Sequence, residues 1–392
     1  MRIAFYAPLK APTHPVPSGD RRVARLLVQA MEAAGHQVEL ASSLRSFDGQ
    51  GNLERQLMLQ TQGREQARQL IAQWRGRPAA ERPALWMSYH LYYKAPDWIG
   101  PIVCEQLGLP YVVCEASYAP KRATGAWRLG HESVGAAIAQ ADLLLAPTPE
   151  DVACLQKVAT APGRIQRFPP FLDASVFAQA SRGREQARTA LAAELGLDRQ
   201  LPWLLTVGMM RPGDKLASYS ELAGTLTLLQ DLSWQILVVG DGLARAQVRE
   251  LIERAAPGRA RFLGLREAEE MPVIYAAADL CVWPAVNEAY GMALLEAQAA
   301  GLPVVACAVR GVPEVVCHDQ TGLLAAPGDT EALARALRLL LTDAGRRRQM
   351  GVAASAFVQR ERGIEQAALW LDALLQQVVR GRTPARPTEA RP

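Results

Sequence analysis

The segment Asp279–Ala308, DLCVWPAVNEAYGMALLEAQAAGLPVVACA, decides the fold class because it places one helical stretch between two strand-like runs. The runs at 279–285 and 303–308 are apolar apart from Asp279, which is typical of strands in a parallel sheet that is covered on both faces. The stretch between them is rich in Ala, Leu and Met and begins a helix near Tyr290–Gly291. The segment therefore predicts one strand–helix–strand unit of a doubly wound α/β domain.

The same alternation of strands and helices extends through both halves of the chain. In the second half, strand-like runs are predicted at 202–208, 234–240, 260–264, 279–285, 303–308 and 322–327. In the first half, they are predicted at 2–7, 37–41, 84–90, 111–117 and 141–148. Two Rossmann-like domains with parallel sheets are predicted, facing a cleft in which ligands bind beyond the carboxyl ends of the strands.

The predicted domain limits follow from the composition. A polar segment between the halves predicts a first domain at 1–178 and a second domain at 179–363. The apolar stripe of residues 364–380 predicts a last helix that packs back onto the first domain. The tail at 381–392 is rich in Pro and Arg and is predicted to be disordered.

The overall composition is that of an ordinary globular protein. The 392 residues are 49% hydrophobic and 21% charged, and the net charge of +4 is too small to indicate nucleic-acid binding. The six cysteines show no metal-binding spacing, so free thiols are expected. No run is long and apolar enough for a membrane span, and a cytoplasmic protein is expected, with peripheral contact at the inner membrane face.

Two carboxylates, Glu288 and Glu296, flank the start of the helix in the opening segment. Free N–H groups at a helix start favour an anion such as phosphate, and Gly291 allows a ligand to approach the backbone closely. Glu296, further into the helix, could accept two hydroxyl hydrogen bonds from a ribose. The alternative interpretation is a capping glutamate followed by an exposed one.

The surrounding sequence resembles the retaining glycosyltransferases of family 4. The landmarks appear in order within residues 200–345: Gly208, Lys215, the Gly240–Asp241–Gly242 turn, RFLG at 261–264, the two glutamates, GVPEVV and TGLL. The first half matches more loosely, through Gly19, AAGHQVEL and the strand ending at His90. The resemblance implies a GT-B fold, with a nucleotide-sugar donor on the C-terminal domain and an acceptor on the N-terminal one.

The resemblance also implies roles for individual residues. Glu296 would hold the donor ribose, and Glu288 would lie close to the donor sugar. The other implied donor contacts are the backbone of Tyr290, Gly291 and Met292 at the sugar or diphosphate, main-chain groups near Arg261 and Leu263 at the nucleobase, and the glycines Gly19, Gly208 and Gly240.

The loop VGMMRPGDK departs from the family pattern, which has Arg directly after the glycine and Lys five residues later. Here Met209 takes the place of the Arg, Arg211 comes two residues later, and Lys215 is one place late. Two cations facing a leaving diphosphate would neutralise the charge that develops as the glycosidic bond breaks. Arg211 and Lys215 are the candidates for that role; the alternative is that they are solvated loop charges.

A second departure lies in the first half. Many family members place a His after the strand that corresponds to residues 111–117, near the reacting sugar, and Glu115 or Ala116 occupies that position here. His90, at the end of the neighbouring strand, is a candidate to reach the cleft or to line the acceptor pocket. Glu115 is the second candidate, and a purely structural role is the alternative for His90.

Basic residues crowd the loops of the first half, at Lys10, His14, Arg21, Arg22, Lys94, Lys121 and Arg122. They indicate an anionic or lipid-linked acceptor, although a solvated surface would look the same. No carboxylate pair follows a strand in the way a metal site would require, so neither an obligatory metal nor another cofactor is expected. The turn at 240–242 lacks the third glycine of a dinucleotide motif.

The function expected from this sequence is that of a retaining glycosyltransferase. It would move a hexose-type sugar from a nucleoside-diphosphate sugar to an acceptor hydroxyl, and the leaving phosphate would take the acceptor proton. The alternatives are a GT-B epimerase, a GT-B phosphorylase and a non-catalytic nucleotide-sugar-binding protein.

Overall fold

A computed structural model gives the structure of residues 1–16, 18–159 and 161–382. The chain folds as two units. The first consists of Met1–Pro169 together with the C-terminal helix that begins at Ile364, and the second consists of Pro170–Gly363.

The first unit is built on a parallel sheet. Its strands are β1 (Arg2–Tyr6), β2 (Gln37–Ser42), β3 (Leu85–Leu91), β4 (Tyr111–Ala116), β5 (Leu143–Ala146) and β6 (Ile165–Arg167). Its helices up to this point are α1 (Gly19–Ala33), α2 (Leu53–Gly76), α3 (Gly100–Leu107), α4 (Arg128–Gln140) and α5 (Pro149–Leu155). The strand order β2-β1-β3-β4-β5-β6, with parallel pairing throughout, is that of a doubly wound sheet.

The second unit contains a second sheet of the same design. Its strands are β7 (Trp203–Val207), β8 (Gln235–Val239), β9 (Ala260–Gly264), β10 (Leu280–Trp283), β11 (Val304–Cys307) and β12 (Gly322–Ala325). Its helices are α6 (Ser175–Arg182), α7 (Arg184–Leu195), α8 (Asp214–Thr227), α9 (Arg245–Ala255), α10 (Met271–Ala277), α11 (Met292–Ala299), α12 (Val312–Val315), α13 (Thr330–Thr342) and α14 (Ala344–Glu361). The parallel strands follow the order β12-β11-β10-β7-β8-β9.

The apolar runs of the sequence form these sheets because their side chains can be buried on both faces. β4 and β10 are buried along almost their whole length, and so is the helix α11 that follows β10. The prediction of two doubly wound parallel-sheet domains is therefore confirmed. The short strand β6 was not predicted, because the sequence IQR has no apolar run.

The division between the units lies at 169–170, before the boundary expected at 178–179. Helices α6 and α7 belong to the second unit because polar contacts bind them to it. Ser181 donates to the carbonyl of Ala300 at 2.8 Å, and the Arg188 guanidinium donates to Asp279 at 3.0 Å. The polar segment that suggested a linker is therefore a pair of helices packed against α10 of the second unit.

The last helix, α15 (Ile364–Arg382), belongs to the first unit. It packs against α1, with Leu371 and Leu375 fully buried. His36 lies 3.1 Å from Asp372 of this helix, measured between Nε2 and Oδ1. The helix extends to Arg382, beyond the end expected at 380, and the rest of the tail that was predicted to be disordered lies outside the described residues.

The described helices include none with the combination of length and apolar character needed to cross a membrane. The six cysteines are all free, and four of them are buried.

Candidate functional site

Three strand ends of the second unit meet through glycine backbones. Gly208 follows β7, Gly240 follows β8, and Gly264 ends β9. The Gly208 amide donates to the Val239 carbonyl at 3.0 Å, and the Gly240 amide donates to the Gly264 carbonyl at 2.9 Å. Gly240 has φ +140°, and a Cβ there would overlap the carbonyl of Gly208. Close backbone packing thus explains why residue 240 is a glycine. The same contact brings the loops after β7 and β8 together at one edge of the sheet.

An ion pair joins the loops that follow β7 and β10. The Lys215 Nζ lies 2.5 Å from the Glu288 Oε2, and the two side chains are 17% and 18% exposed. The Trp283 indole N–H donates to the same carboxylate oxygen at 3.2 Å, and Lys215 lies over the indole ring at 5.3 Å. Two of the predicted site residues, from distant parts of the sequence, therefore meet at the carboxyl ends of neighbouring strands.

The loop before α11 is held in a strained conformation. Ala285 and Asn287 have φ of +64° and +53°, values that non-glycine residues rarely adopt. Contacts with α8 stabilise them: Asn287 donates to the Asp214 carboxylate at 2.7 Å, and the Val286 amide donates to the Ser218 hydroxyl at 3.0 Å. Strain that is maintained by specific contacts is common at functional sites.

Glu296 is only 5% exposed and lies within α11, which begins directly after Gly291. The Tyr275 hydroxyl donates to the Glu296 Oε2 at 3.0 Å. Burial, with the charge of Glu296 added, raises the pKa of the Cys281 thiol to about 12. Glu296 is therefore a buried carboxylate within hydrogen-bond distance of a buried tyrosine hydroxyl, so the alternative of an exposed glutamate is wrong. Tyr290 and Met292, at the start of this helix, are half-buried.

Arg261 and Leu263 lie on β9, at the edge of the second sheet. The Arg261 guanidinium donates to the carbonyls of Leu195 and Gly196 at 2.7 and 3.1 Å, which ties β9 to the end of α7. The Leu263 carbonyl accepts a hydrogen bond from Arg266 at 3.1 Å. The Arg261 side chain thus has a structural role, and Arg261 is paired with Leu237 of β8 in the parallel ladder.

The two predicted cations of the loop after β7 differ in their surroundings. Lys215 lies in the first turn of α8 and is engaged by Glu288. Arg211 is exposed, and no described carboxylate lies within ion-pair distance of it. Gly213, between them, has φ +85° and precedes the first residue of α8. The loop therefore places one fixed and one exposed cation near the start of a helix.

His90 and Glu115 meet in the first unit, at the ends of β3 and β4. The His90 Nδ1 lies 3.0 Å from Asp20 Oδ1 and 3.6 Å from Glu115 Oε1. Both His90 and Glu115 have positive φ, +60° and +61°. Gly19 begins α1 directly before Asp20, and no described atom lies within 4 Å of the position that its Cβ would occupy. The predicted candidates of the first unit thus surround one acidic residue that was not predicted.

The carboxylates around His90 control its protonation. Burial alone would lower the pKa of His90, but Glu115 and Asp20 raise it to about 9. Burial disfavours the charged form of Asp20 as well, yet the net effect of His90 is to lower the pKa of Asp20. His90 is consequently a cation at neutral pH, and in this state it cannot accept a proton.

Sequence reasoning missed three side chains at these positions, namely Asp20, Tyr275 and Trp283. Asp20 resembles an ordinary acidic residue in the first turn of a helix, and Tyr275 and Trp283 resemble core aromatic residues. The sequence alone could not identify them, because each is distinguished only by its contact with an ionisable residue in the folded structure.

No group of three or more His, Cys, Asp or Glu side chains within residues 1–16, 18–159 and 161–382 is arranged to hold a metal ion.

Comparison with known proteins supports the fold first. Sucrose-phosphate synthase from Thermosynechococcus elongatus superposes with a TM-score of 0.72 at 23% identity, covering 97% of this chain and 99% of that one. HepE from Anabaena, in complex with UDP and glucose, superposes with a TM-score of 0.68 at 16% identity, covering 95% and 99%. These likenesses, with the two six-stranded parallel sheets, confirm the GT-B fold.

The sequence comparison then gives the family. Residues 202–343 match the family described as Glycosyl transferases group 1. A D-inositol 3-phosphate glycosyltransferase from Salinispora tropica is 31% identical over 278 residues, which is 66% of this chain and 57% of that protein. The match therefore spans less than two thirds of this relative. Residues 202–343 thus match the glycosyl transferases group 1 model, in agreement with the resemblance found in the sequence.

One prediction concerns the charge of His90. Because its pKa is raised, its positive charge stabilises the fold fully below pH 6.5, and that contribution is lost as the pH rises through about 9. The chain has only five histidines, so NMR can follow them separately. We expect one resonance with a midpoint near 9, which disappears in His90→Asn, a variant that tolerates the positive φ.

The matched control for this titration is His318→Asn, which alters an exposed histidine paired with Asp319. It should remove a different resonance and leave the high midpoint in place. Glu115→Gln should lower the midpoint of His90. Midpoints below pH 7 for all five histidines would contradict this assignment.

Proposed function

We propose that the chain is a retaining glycosyltransferase that transfers a hexose-type sugar from a nucleoside-diphosphate sugar to an acceptor hydroxyl. The observation that carries the proposal is the Lys215–Glu288 ion pair, which lies close to the starts of α8 and α11. It supplies a cation for a diphosphate and a carboxylate for sugar hydroxyls in adjacent positions. The similar Salinispora tropica protein is named a D-inositol 3-phosphate glycosyltransferase, and the HepE structure contains UDP and glucose.

The ion pair has a direct role in this proposal. A donor diphosphate carries more negative charge than one carboxylate, so it competes with Glu288 for the Lys215 ammonium. Once displaced, Glu288 would accept hydrogen bonds from the donor sugar, while Glu296 would accept them from the ribose. The backbone N–H groups at Gly291 and Met292 would add to the stabilisation of the phosphates.

The chemical step needs negative charge to be stabilised on the leaving group. The bond between the anomeric carbon and the diphosphate oxygen breaks, and the acceptor oxygen bonds to that carbon on the same face. The acceptor proton passes to the departing phosphate oxygen. Lys215 and Arg211 would stabilise the diphosphate as its charge develops.

A donor panel tests this proposal. The purified chain is first screened by thermal shift against UDP-, GDP- and ADP-sugars, and nucleotide release is then measured with and without added acceptors. A transferase stabilised by one donor should release nucleotide fastest when an acceptor is present. An epimerised sugar nucleotide formed without acceptor, a requirement for free phosphate, or donor binding without any release would each overturn the proposal in favour of an alternative activity.

Glu296→Gln is expected to weaken nucleotide-sugar binding. The amide keeps the size of the side chain but loses the charge that strengthens hydrogen bonds from ribose hydroxyls, so we expect about a tenfold rise in Kd. Calorimetry with the donor identified by the panel measures it. Glu331→Gln, at an exposed position of α13, is the control and should bind normally. Equal donor affinity in both variants would exclude Glu296 from the donor site.

Lys215→Ala is expected to lower turnover more than donor affinity, because its charge matters most when the bond to the diphosphate breaks. Removing one such stabilising group typically lowers kcat by about a hundredfold or more. Steady-state kinetics measures kcat, and Arg254→Ala, which removes an exposed cation of α9, is the control. If kcat is unchanged and only the KM for donor rises, Lys215 binds the ground state alone.

A further inference from the structure

The loops that follow β3 and β4 form a cluster that we call the cation–aromatic platform, consisting of Tyr93, Lys94, Arg122 and Trp127. The Lys94 Nζ lies 4.9 Å from the centroid of the Trp127 ring and 5.9 Å from that of Tyr93. The Arg122 Cζ lies 5.0 and 5.1 Å from the same two centroids. Two cations therefore share one pair of aromatic rings, which themselves pack edge to face at 5.6 Å.

The platform is fixed by its backbone. Tyr92 and Ala95 pair across a tight turn that presents Tyr93 and Lys94. Helix α4 packs directly beneath, since a Cβ at Gly130 would overlap the Tyr93 carbonyl. The Trp127 indole N–H donates to the Asp48 carbonyl at 3.2 Å. The two rings are thus held in place before any ligand arrives, which lowers the entropic cost of binding.

The charges of the platform are not balanced by neighbouring acids. In the described part of the chain, no carboxylate lies within ion-pair distance of Lys94 or Arg122, and the solvent-shielded Arg122 Nε has no hydrogen-bond partner. Attraction to the ring faces stabilises each cation only weakly at such sites. An anion held by both side chains would offset their mutual repulsion and accept charge-assisted hydrogen bonds from them.

Other basic residues of the first unit are used differently. The Arg21 guanidinium donates to the carbonyls of His14 and Pro15 at 2.9 and 3.1 Å, and so stabilises the loop between β1 and α1. Arg128 pairs with Glu132 at 3.2 Å. Of the basic residues that suggested an anionic acceptor, Lys94 and Arg122 are the two held over aromatic rings.

The platform is connected to His90 by aromatic contacts. The ring of His90 lies 5.3 Å from that of Tyr92, which lies 5.6 Å from that of Tyr93. Ring faces offer an apolar surface against which the C–H groups of a sugar or polyol can pack. A phosphate at the cations would thus leave the rest of its molecule near the rings of Tyr92 and His90.

We propose that the cation–aromatic platform binds the phosphate group of a phosphorylated sugar or polyol acceptor. This assignment rests on the proposed function only in identifying the ligand as the acceptor. A lipid headgroup carries the same phosphate chemistry, so the experiment includes both sources.

The test measures binding to the full chain without turnover. Glucose 6-phosphate, D-inositol 3-phosphate and unphosphorylated glucose are titrated by calorimetry, and vesicles of phosphatidylglycerol or of phosphatidylcholine are tested by co-sedimentation. At least one phosphorylated probe should bind while its neutral counterpart does not. Lys94→Gln and Arg122→Gln should each weaken that binding about tenfold or more.

The controls are Lys121→Gln and Arg128→Gln, which remove cations near the platform but not over its rings. They should bind like the parent chain, and Arg122→Lys should recover part of the affinity lost in Arg122→Gln. If Lys94→Gln and Arg122→Gln lose only the binding of sugar phosphate, the acceptor is soluble. If they lose only the binding of anionic vesicles, the acceptor is lipid-linked. Either result supports the platform as a phosphate site.

The proposal is overturned if neither a sugar phosphate nor phosphatidylglycerol vesicles bind, or if the platform variants and the controls bind them equally. Since the assay requires no transfer, it separates this outcome from failure of the proposed function. A chain that transfers sugar but shows no effect of Lys94→Gln would retain the proposed function and lose the platform. A chain that binds phosphate at the platform but never releases nucleotide would retain the platform and lose the proposed function.

Discussion

The ion pair between Lys215 and Glu288 is the interaction on which the candidate donor site depends. Its two members lie far apart in the sequence, and they meet because β7 and β10 are neighbours whose carboxyl ends share one edge of the sheet. Trp283 supports both partners, by a hydrogen bond to the carboxylate and by a ring face under the ammonium. The pair thus keeps a cation and a carboxylate in adjacent positions at this edge of the sheet.

The rest of the second unit is arranged around this edge of the sheet. Gly208 and Gly240 bring neighbouring loops together by direct backbone contact, which a larger residue at Gly240 would prevent. The strained loop at 285–287 is held by α8 and leads into the helix that buries Glu296. The first unit also brings ionisable side chains together at the ends of neighbouring strands. There the protonated imidazole of His90 lies between the carboxylates of Asp20 and Glu115.

Much of this arrangement could be predicted from the sequence, because apolar runs and glycine positions are local signals. The parallel sheets, the start of α11 near Gly291 and the buried position of Glu296 follow from the pattern of the segment at 279–308. For Arg261 and Gly240, the sequence could not distinguish a structural role from a ligand-binding one, since each makes structural contacts that only the fold reveals. The division at 169–170 could not be read from the composition, because the polar residues of α6 and α7 bind to buried carbonyls rather than to solvent.

The most direct test of the account follows the anomeric configuration during slow donor hydrolysis, with water in place of the acceptor. The full chain is incubated with its preferred α-linked sugar nucleotide, and proton NMR records the released sugar before its anomers equilibrate. Transfer with retention predicts that the α-anomer appears first, together with the free nucleoside diphosphate. Initial release of the β-anomer would contradict the retaining mechanism, and persistent absence of release from every bound donor would contradict a catalytic role for the Lys215–Glu288 site.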